Sequence, residues 1–380
     1  MLGFYPLTIR RGERTDEMNR KIPLILVFCV LMTLVFGVAH AASGSTGDPD
    51  SDGSVTAADA ARTLRAAEGY ESFNAQQSAD ADATGNMEVG SPDAVAMLLF
   101  ATGRIDSFSQ LSIVTPDSLL GERHMDRFSY RGTLMKNDGY QSRDVSVTIT
   151  RSTREDYVYL VADIYVQHLS SFQTAFAGGA YLGARELTQE IAQRNAAILA
   201  INGDGYSSQK VGPLVRNGIW YRNTVDRGSD LAVLYTNGEL KTYAADSISV
   251  KTLEQSDVYQ TWSGGPRLLG DDGAPLTSIN SERLMDSHSA RTAIGYYEPG
   301  HYCFVVVDGS QNPNSKGATL TQLADLVGSL GCKQAYMLYG GNSSVMTTQF
   351  KVLNTNPDGG RTVSDILYLC EPRADAEQSR

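Results

Sequence analysis

Four side chains in this sequence have the types and positions that acid–base and anion chemistry require: Asp204, Asp308, Arg291 and Tyr339. Asp308 closes the apolar run Phe304-Val305-Val306-Val307, and Tyr339 closes Tyr336-Met337-Leu338. Asp204 follows the apolar segment of residues 196–201 through Asn202-Gly203. Two carboxylates at strand ends can serve as acid and base or hold a cation, and a guanidinium matches two phosphate oxygens at once. After Tyr339 come Gly340-Gly341-Asn342-Ser343-Ser344, whose twin glycines allow close backbone approach to a ligand and expose amide donors. The plainer reading is a tight turn capped by Ser343 or Ser344, with Asp204, Asp308 and Arg291 in a structural salt-bridge network. Both readings stay open at this point.

The elements that must position these groups are written in the surrounding residues. Thr319 and Gln322 have capping-box spacing, and Leu320, Leu323, Leu326, Val327 and Leu330 recur at helical period, with Gly331 at the expected stop. A helix between two apolar strands predicts a parallel pair with a right-handed crossover, which would set Asp308 and Tyr339 side by side. Ligands of such sheets bind outside the carboxyl ends of the strands. Upstream, Val145-Ser146-Val147-Thr148-Ile149 alternates as a half-buried strand and residues 157–166 continue the pattern. Residues 187–192 read as a helix feeding a buried strand over 196–201, and Asn217-Gly218 and Asn237-Gly238 mark hairpin tips.

The chain has 380 residues, 42% of them hydrophobic, and a formal net charge of −11. That length supports two domains, and the acidity with no basic face excludes a nucleic-acid binder. Near the amino terminus, Met18-Asn19-Arg20-Lys21 precedes an apolar run over 22–38 and the small-x-small site Ala39-His40-Ala41. This predicts a cleaved signal peptide over 1–41, with Met18 as the true start, a secreted product and no membrane span after cleavage. Of the remaining cysteines, Cys303, Cys332 and Cys370, the odd number rules out a complete disulfide framework. Cys303 and Cys332 fall near strand starts and are read as small buried residues, their pairing unsettled.

Residues 48–59 carry Asp48, Asp50, Asp52, Ser54 and Asp59 around Gly53, the spacing by which alternate side chains turn inward on a hard cation. A second copy places Asp82, Thr84, Asn86 and Asp93 at equivalent positions, but with Met87 where the glycine stands and Asn86 for an aspartate, so weaker calcium binding, or none, is expected there. A duplicated loop–helix unit with aspartate at position twelve resembles the dockerin family. The resemblance spans residues 42–105, and it implies a small all-α, EF-hand-like domain, Ca²⁺ in both loops and a cohesin domain of a scaffolding protein as partner.

A polar linker over 106–117 leads into residues 118–373, with a polar tail over 374–380. Within the large domain run Ala200-Ile201-Asn202-Gly203-Asp204, Val215-Arg216-Asn217-Gly218, Gly264-Gly265-Pro266, Arg291-Thr292-Ala293-Ile294-Gly295, Val307-Asp308-Gly309, Ser315-Lys316-Gly317, Gly340-Gly341 and Arg361-Thr362-Val363-Ser364-Asp365. In order and spacing these resemble the phosphodiester glycosidase family, which includes the lysosomal uncovering enzyme. The resemblance implies an α+β, mixed-sheet domain acting on a sugar-phosphate diester in a glycan or cell-envelope polymer. It assigns catalysis to Asp204, Asp308, Arg291 and Tyr339, and substrate contacts to Asn202, Arg216, Gly340, Gly341, Asn342 and Ser343. Tyr339 stands where family members carry aspartate, Asn342 replaces a third glycine, Met337 an asparagine and Ser310 an arginine. The alternatives are therefore a degenerate member that binds glycan without cleaving it, or a passenger of an assembly module. His288 and His301 are read as surface or core histidines.

Overall fold

The computed structural model describes residues 46–84, 89–105, 107–108, 120–136, 138–281 and 285–372. The leader, most of the linker, Asn86 and the tail lie outside the described residues. The chain divides into two compact units, one of residues 1–83 and 87–108 and a larger one of residues 84–86 and 109–380. No helix among the described residues is long and apolar enough to cross a membrane.

The smaller unit is built from helices α1 (Ala57–Ala67), α2 (Ala75–Ala81) and α3 (Ser91–Ala101). Thr56 caps α1, accepting from the Ala58 amide, while Asp59 Oδ2 reaches back to the Thr56 amide at 2.8 Å. This reciprocal cap satisfies two orphan donors of the first turn. The helices bury Ala60, Ala94, Met97 and Phe100, and Thr63 donates to the Met97 sulfur.

In the larger unit, strands β1 (Leu134–Lys136), β2 (Gly139–Gln141), β3 (Val145–Arg154) and β4 (Tyr157–Val166) form a meander. The chain then lays down β5 (Phe172–Phe176), helix α4 (Thr188–Arg194), β6 (Leu199–Asn202), β7 (Pro213–Arg216), β8 (Ile219–Asn223), β9 (Leu231–Tyr235) and β10 (Leu240–Tyr243). Helix α5 (Val250–Glu254), β11 (Val258–Ser263), β12 (Arg291–Glu298), β13 (His301–Val307), helix α6 (Leu320–Ser329), β14 (Gln334–Met337), β15 (Met346–Thr347) and β16 (Asp365–Leu369) follow. Among the described residues the sheets are ordered β1-β2-β3-β4-β13-β12-β14, β15-β6-β16-β5, β10-β9-β11 and β7-β8, and every paired neighbour is antiparallel.

Local expectations match this architecture closely. Helix α6 starts on the Thr319–Gln322 capping box and stops before Gly331, whose φ is +85°. Asn217 and Gly218 both take positive φ at the β7–β8 tip, as a tight hairpin requires. The expected parallel pair needs correction. β13 and β14 do run parallel, but β12 lies between them and pairs antiparallel with both. The tight β12–β13 hairpin, joined at Glu298–His301, takes the position beside β13 that a crossover strand would have occupied.

Burial on both faces explains the unbroken apolar run of β13. Phe304 and Val306 face a core shared with β6, β9 and β16, including Ile201, Leu234 and Leu367. Cys303, Val305 and Val307 face the opposite core, beneath Leu320, Leu323 and Val327 of α6. Successive side chains of a strand alternate between faces, so a strand covered on both sides is apolar throughout.

Candidate functional site

The seven-stranded sheet delivers the expected residues to one end, in an order set by its topology. Arg291 opens β12 opposite Val307, so Asp308 emerges beside it. On the other flank, the Leu338 amide donates to Thr292 O, and the Gly341 amide to Ala290 O at 2.8 Å. Asp308, Arg291 and the Tyr339–Gly341 turn therefore lie across three adjacent strand ends. The β6 loop joins them from the other sheet: the Tyr339 amide donates to Gly203 O at 3.1 Å, and Gly205, at φ +72°, lies under the Tyr339 ring. A Cβ at Gly205 would stand 2.9 Å from that ring, so only glycine allows this approach.

Within this end each charged group has its own partners. Asp308 is fully buried; its Oδ1 accepts from the Thr355 amide at 2.9 Å, and its Oδ2 from Asn312 Nδ2 at 2.8 Å and Arg151 Nη1 at 3.2 Å. The Arg151 side chain is 45% exposed and also donates to Leu353 O, so this ion pair connects a buried carboxylate to solvent.

Asp204, 3% exposed, belongs to a separate buried triad. Arg216 Nη2 donates to Asp204 Oδ1 at 3.0 Å and to Asp365 Oδ2 at 2.8 Å, and its Nε also reaches Asp365. The remaining guanidinium nitrogen serves the carbonyls of Val215 and Thr261. Asp204 also accepts from the Tyr206 and Ser263 amides. Among the described residues Asp204 and Asp308 share no hydrogen-bond partner.

Arg291 is 2% exposed and donates to Ala318 O at 3.0 Å and to Ser287 O at 2.6 Å. Burial draws its guanidinium down to about 10. With Nε and Nη2 committed to backbone carbonyls, it pins the entry to β12 and does not present a free fork to phosphate. Arg216, expected at the substrate, is likewise corrected: buried and saturated by two carboxylates, it fixes the loop that carries Asp204. Asn202 is also a fastener. Its Nδ2 donates to Tyr339 O at 2.7 Å, and its Oδ1 accepts from Thr292 Oγ1 and the Val345 amide. Buried polar groups satisfied in this way rigidify the segments they join.

The groups that face solvent are different ones. Tyr339 is 38% exposed. Asn342 is exposed and accepts from Gln311 Nε2 at 2.7 Å, while its carbonyl accepts from the Arg361 amide. Gly341 (φ +67°) turns the chain, a Cβ at Gly340 would stand 3.2 Å from Ala290 O, and Ser343 is buried. Sequence reasoning did not single out Arg151 and Asn312, which contact Asp308, or Asp365, which contacts Arg216. Asp365 lay inside a quoted motif; Arg151 is 157 residues from Asp308 and carries no local signal.

Burial pushes Asp365 up to about 7, with Arg216 pulling against it and Asp204 adding to it. Its Oδ1 is buried without a hydrogen-bond partner, which suits a retained proton. Between the ordinary aspartate range and about pH 7 the folded state then binds more protons than the unfolded chain. Stability should accordingly fall as pH rises through that window. Asp365→Asn should flatten the slope, measured as urea midpoints between pH 4 and 8; an unchanged slope would remove Asp365 from this role.

In the smaller unit, the carboxylates of Asp48, Asp50 and Asp52 bring oxygens within 4.8 Å of one another. Gly53, at φ +87°, makes the sharp bend, and its amide donates to Asp48 Oδ2 at 2.9 Å. Asp59 uses Oδ2 as a cap and leaves Oδ1 buried without a hydrogen-bond partner. Burial raises its pKa, helped by the charges of Asp50 and Asp48. An oxygen cluster with an orphaned buried acceptor fits a hard cation. In the second loop Asp93 accepts from the Gly90 amide at 2.8 Å, and Asn86 is outside the described residues.

Comparison with known proteins bears on the larger unit. Residues 195–370 match the phosphodiester glycosidase family. The matched stretch holds Asp204, Arg216, Arg291, Asp308, Tyr339 and Asp365, but not Arg151. The SPbeta prophage-derived uncharacterized protein YomE of Bacillus subtilis (strain 168) is 26% identical over 199 residues, covering 51% of this chain and 31% of that protein. This chain therefore spans under a third of that relative's length. Among solved structures, the zebrafish N-acetylglucosamine-1-phosphodiester alpha-N-acetylglucosaminidase catalytic domain, auto-inhibited by its pro-peptide, aligns at 21% identity and a TM-score of 0.48, over 60% of this chain and 83% of that one. A hypothetical protein from Synechocystis aligns at 13% identity and a TM-score of 0.42, over 60% and 62%.

Proposed function

We propose that the larger unit hydrolyses a glycosyl phosphodiester, with Asp308 and Arg151 as its reacting centre. The observation that carries this reading is the ion pair itself, placed at the strand ends of the unit that holds the family match. Arg151 is the exposed guanidinium beside a carboxylate, and it suits the leaving phosphate better than the buried Arg291. Asp308, held by Asn312 and Thr355, supplies the proton relay at the glycosidic oxygen. Tyr339 and Asn342 line the solvent side and orient the sugar.

A second reading, glycan binding without turnover, draws support from Tyr339, which brings a neutral ring where family members carry a carboxylate. The test is release of sugar from a panel of sugar-1-phosphate diesters by the wild-type chain and by Tyr339→Asp. Turnover by the wild type supports hydrolysis. Turnover gained only on Tyr339→Asp, with the wild type binding the same glycans, supports the second reading.

For the smaller unit we infer a calcium-loaded docking module, in a secreted protein that attaches to a cohesin domain of a scaffold. Asp48, Asp50, Asp52, Ser54 and Asp59 would hold one ion, and Asp82, Thr84, Asn86 and Asp93 a weaker one. Chelation should lower the helical circular-dichroism signal, and added Ca²⁺ should restore it, because ligand binding to the folded state alone adds to its stability. A spectrum indifferent to chelator would contradict the calcium assignment.

A further inference from the structure

We propose that Cys303 and Cys332 are a disulfide-forming pair that closes as the chain folds in an oxidising medium. Their sulfurs lie 3.6 Å apart, and the side chains are 0% and 3% exposed. They come from opposite sides of β12: Cys303 is on β13, paired with Gly295, while Cys332 follows α6 and precedes β14. Any other residue at 295 would keep them apart. A Cβ built on Gly295 would stand 2.6 Å from both sulfurs, so the missing side chain is the space in which they meet. The two are reduced in the structure, and closure to a bond of about 2.05 Å needs a small rotation of each side chain over the glycine. Cys370 takes no part; its sulfur faces Ser170 O.

The chemistry is ordinary exchange. The Cys332 thiolate attacks one sulfur of an external disulfide, that of oxidised glutathione or of a thiol–disulfide oxidoreductase, and expels the first thiol. Cys303, giving up its proton, then attacks Cys332 Sγ in the mixed disulfide and releases the second. Two thiols of the chain are oxidised and one external disulfide is reduced to two thiols. Because the folded pair is shielded from solvent, the exchange belongs to folding, before α6 covers the sheet.

The full chain should be refolded in a glutathione redox buffer, alkylated without reduction and digested with trypsin. A linked pair of peptides covering residues 292–316 and 317–333 is expected. Reductant should lower the melting temperature of the oxidised protein, on the order of 5–10 °C, and should leave that of Cys332→Ala unchanged. If Cys303 and Cys332 are both alkylated in protein that has refolded to native spectra, the proposal is overturned, whatever the variant does.

Discussion

Arg216→Met should destabilise the larger unit by about 3–5 kcal/mol, the usual cost of removing one partner from a buried ion pair. The guanidinium is enclosed and donates to Asp204, Asp365 and the carbonyls of Val215 and Thr261. Burial works against its charge, and the two carboxylates more than offset that cost. Without it, two carboxylates that are 3% and 0% exposed face each other with no cation between them. Asp365 takes up a proton readily, while Asp204 stays held in place by the Tyr206 and Ser263 amides. Urea unfolding read by tryptophan fluorescence measures the loss. A change under 1 kcal/mol would show that the triad is not the fastening point of the Asp204 loop. Arg216→Lys should recover only part of the stability, since an ammonium cannot fork to both aspartates.

Asp308→Asn should lower turnover of a sugar-1-phosphate diester by about 10²–10⁴-fold, the usual contribution of a positioned acid–base group. Asparagine keeps one acceptor oxygen, enough for the Thr355 amide, but turns an NH2 donor toward Asn312 and Arg151. A thermal melt should therefore accompany the assay, to show that the fold survives and that the loss falls on kcat. Arg151→Gln should weaken phosphate handling while sparing the core, because Arg151 is half exposed. Unchanged kcat in Asp308→Asn, with wild-type turnover established on the same substrate, would move the reacting centre elsewhere on this sheet end.

What the sequence made legible was local. The Thr319–Gln322 box, the Asn217-Gly218 tip and the bend at Gly53 each rest on residues within a few positions, and each stands as read. The solid apolar run of β13 also carried its burial, whereas in β3 Ser146 is buried between Val145 and Val147, against the expected alternation. Strand order was not legible, because nothing in Arg291 to Gly295 states that β12 lies between β13 and β14. The roles of the charged residues were equally hidden. Arg216 and Arg291 have the composition of anion-binding groups, yet burial turns both inward, one to aspartates and one to carbonyls. Arg151, in an alternating strand, gave no sign that its tip reaches a carboxylate far along the chain.

The Arg216–Asp365 bridge has a bearing on synthesis. The two ends of that contact are 149 positions apart, and the carboxylate comes from the final strand of the unit. A nascent chain that has made everything up to β15 still lacks the acceptor that Arg216 Nε and Nη2 share. Completion of the site must therefore wait for the last strand, and a protein truncated ahead of Asp365 should be cleared by proteases rather than persist as a partly working fragment.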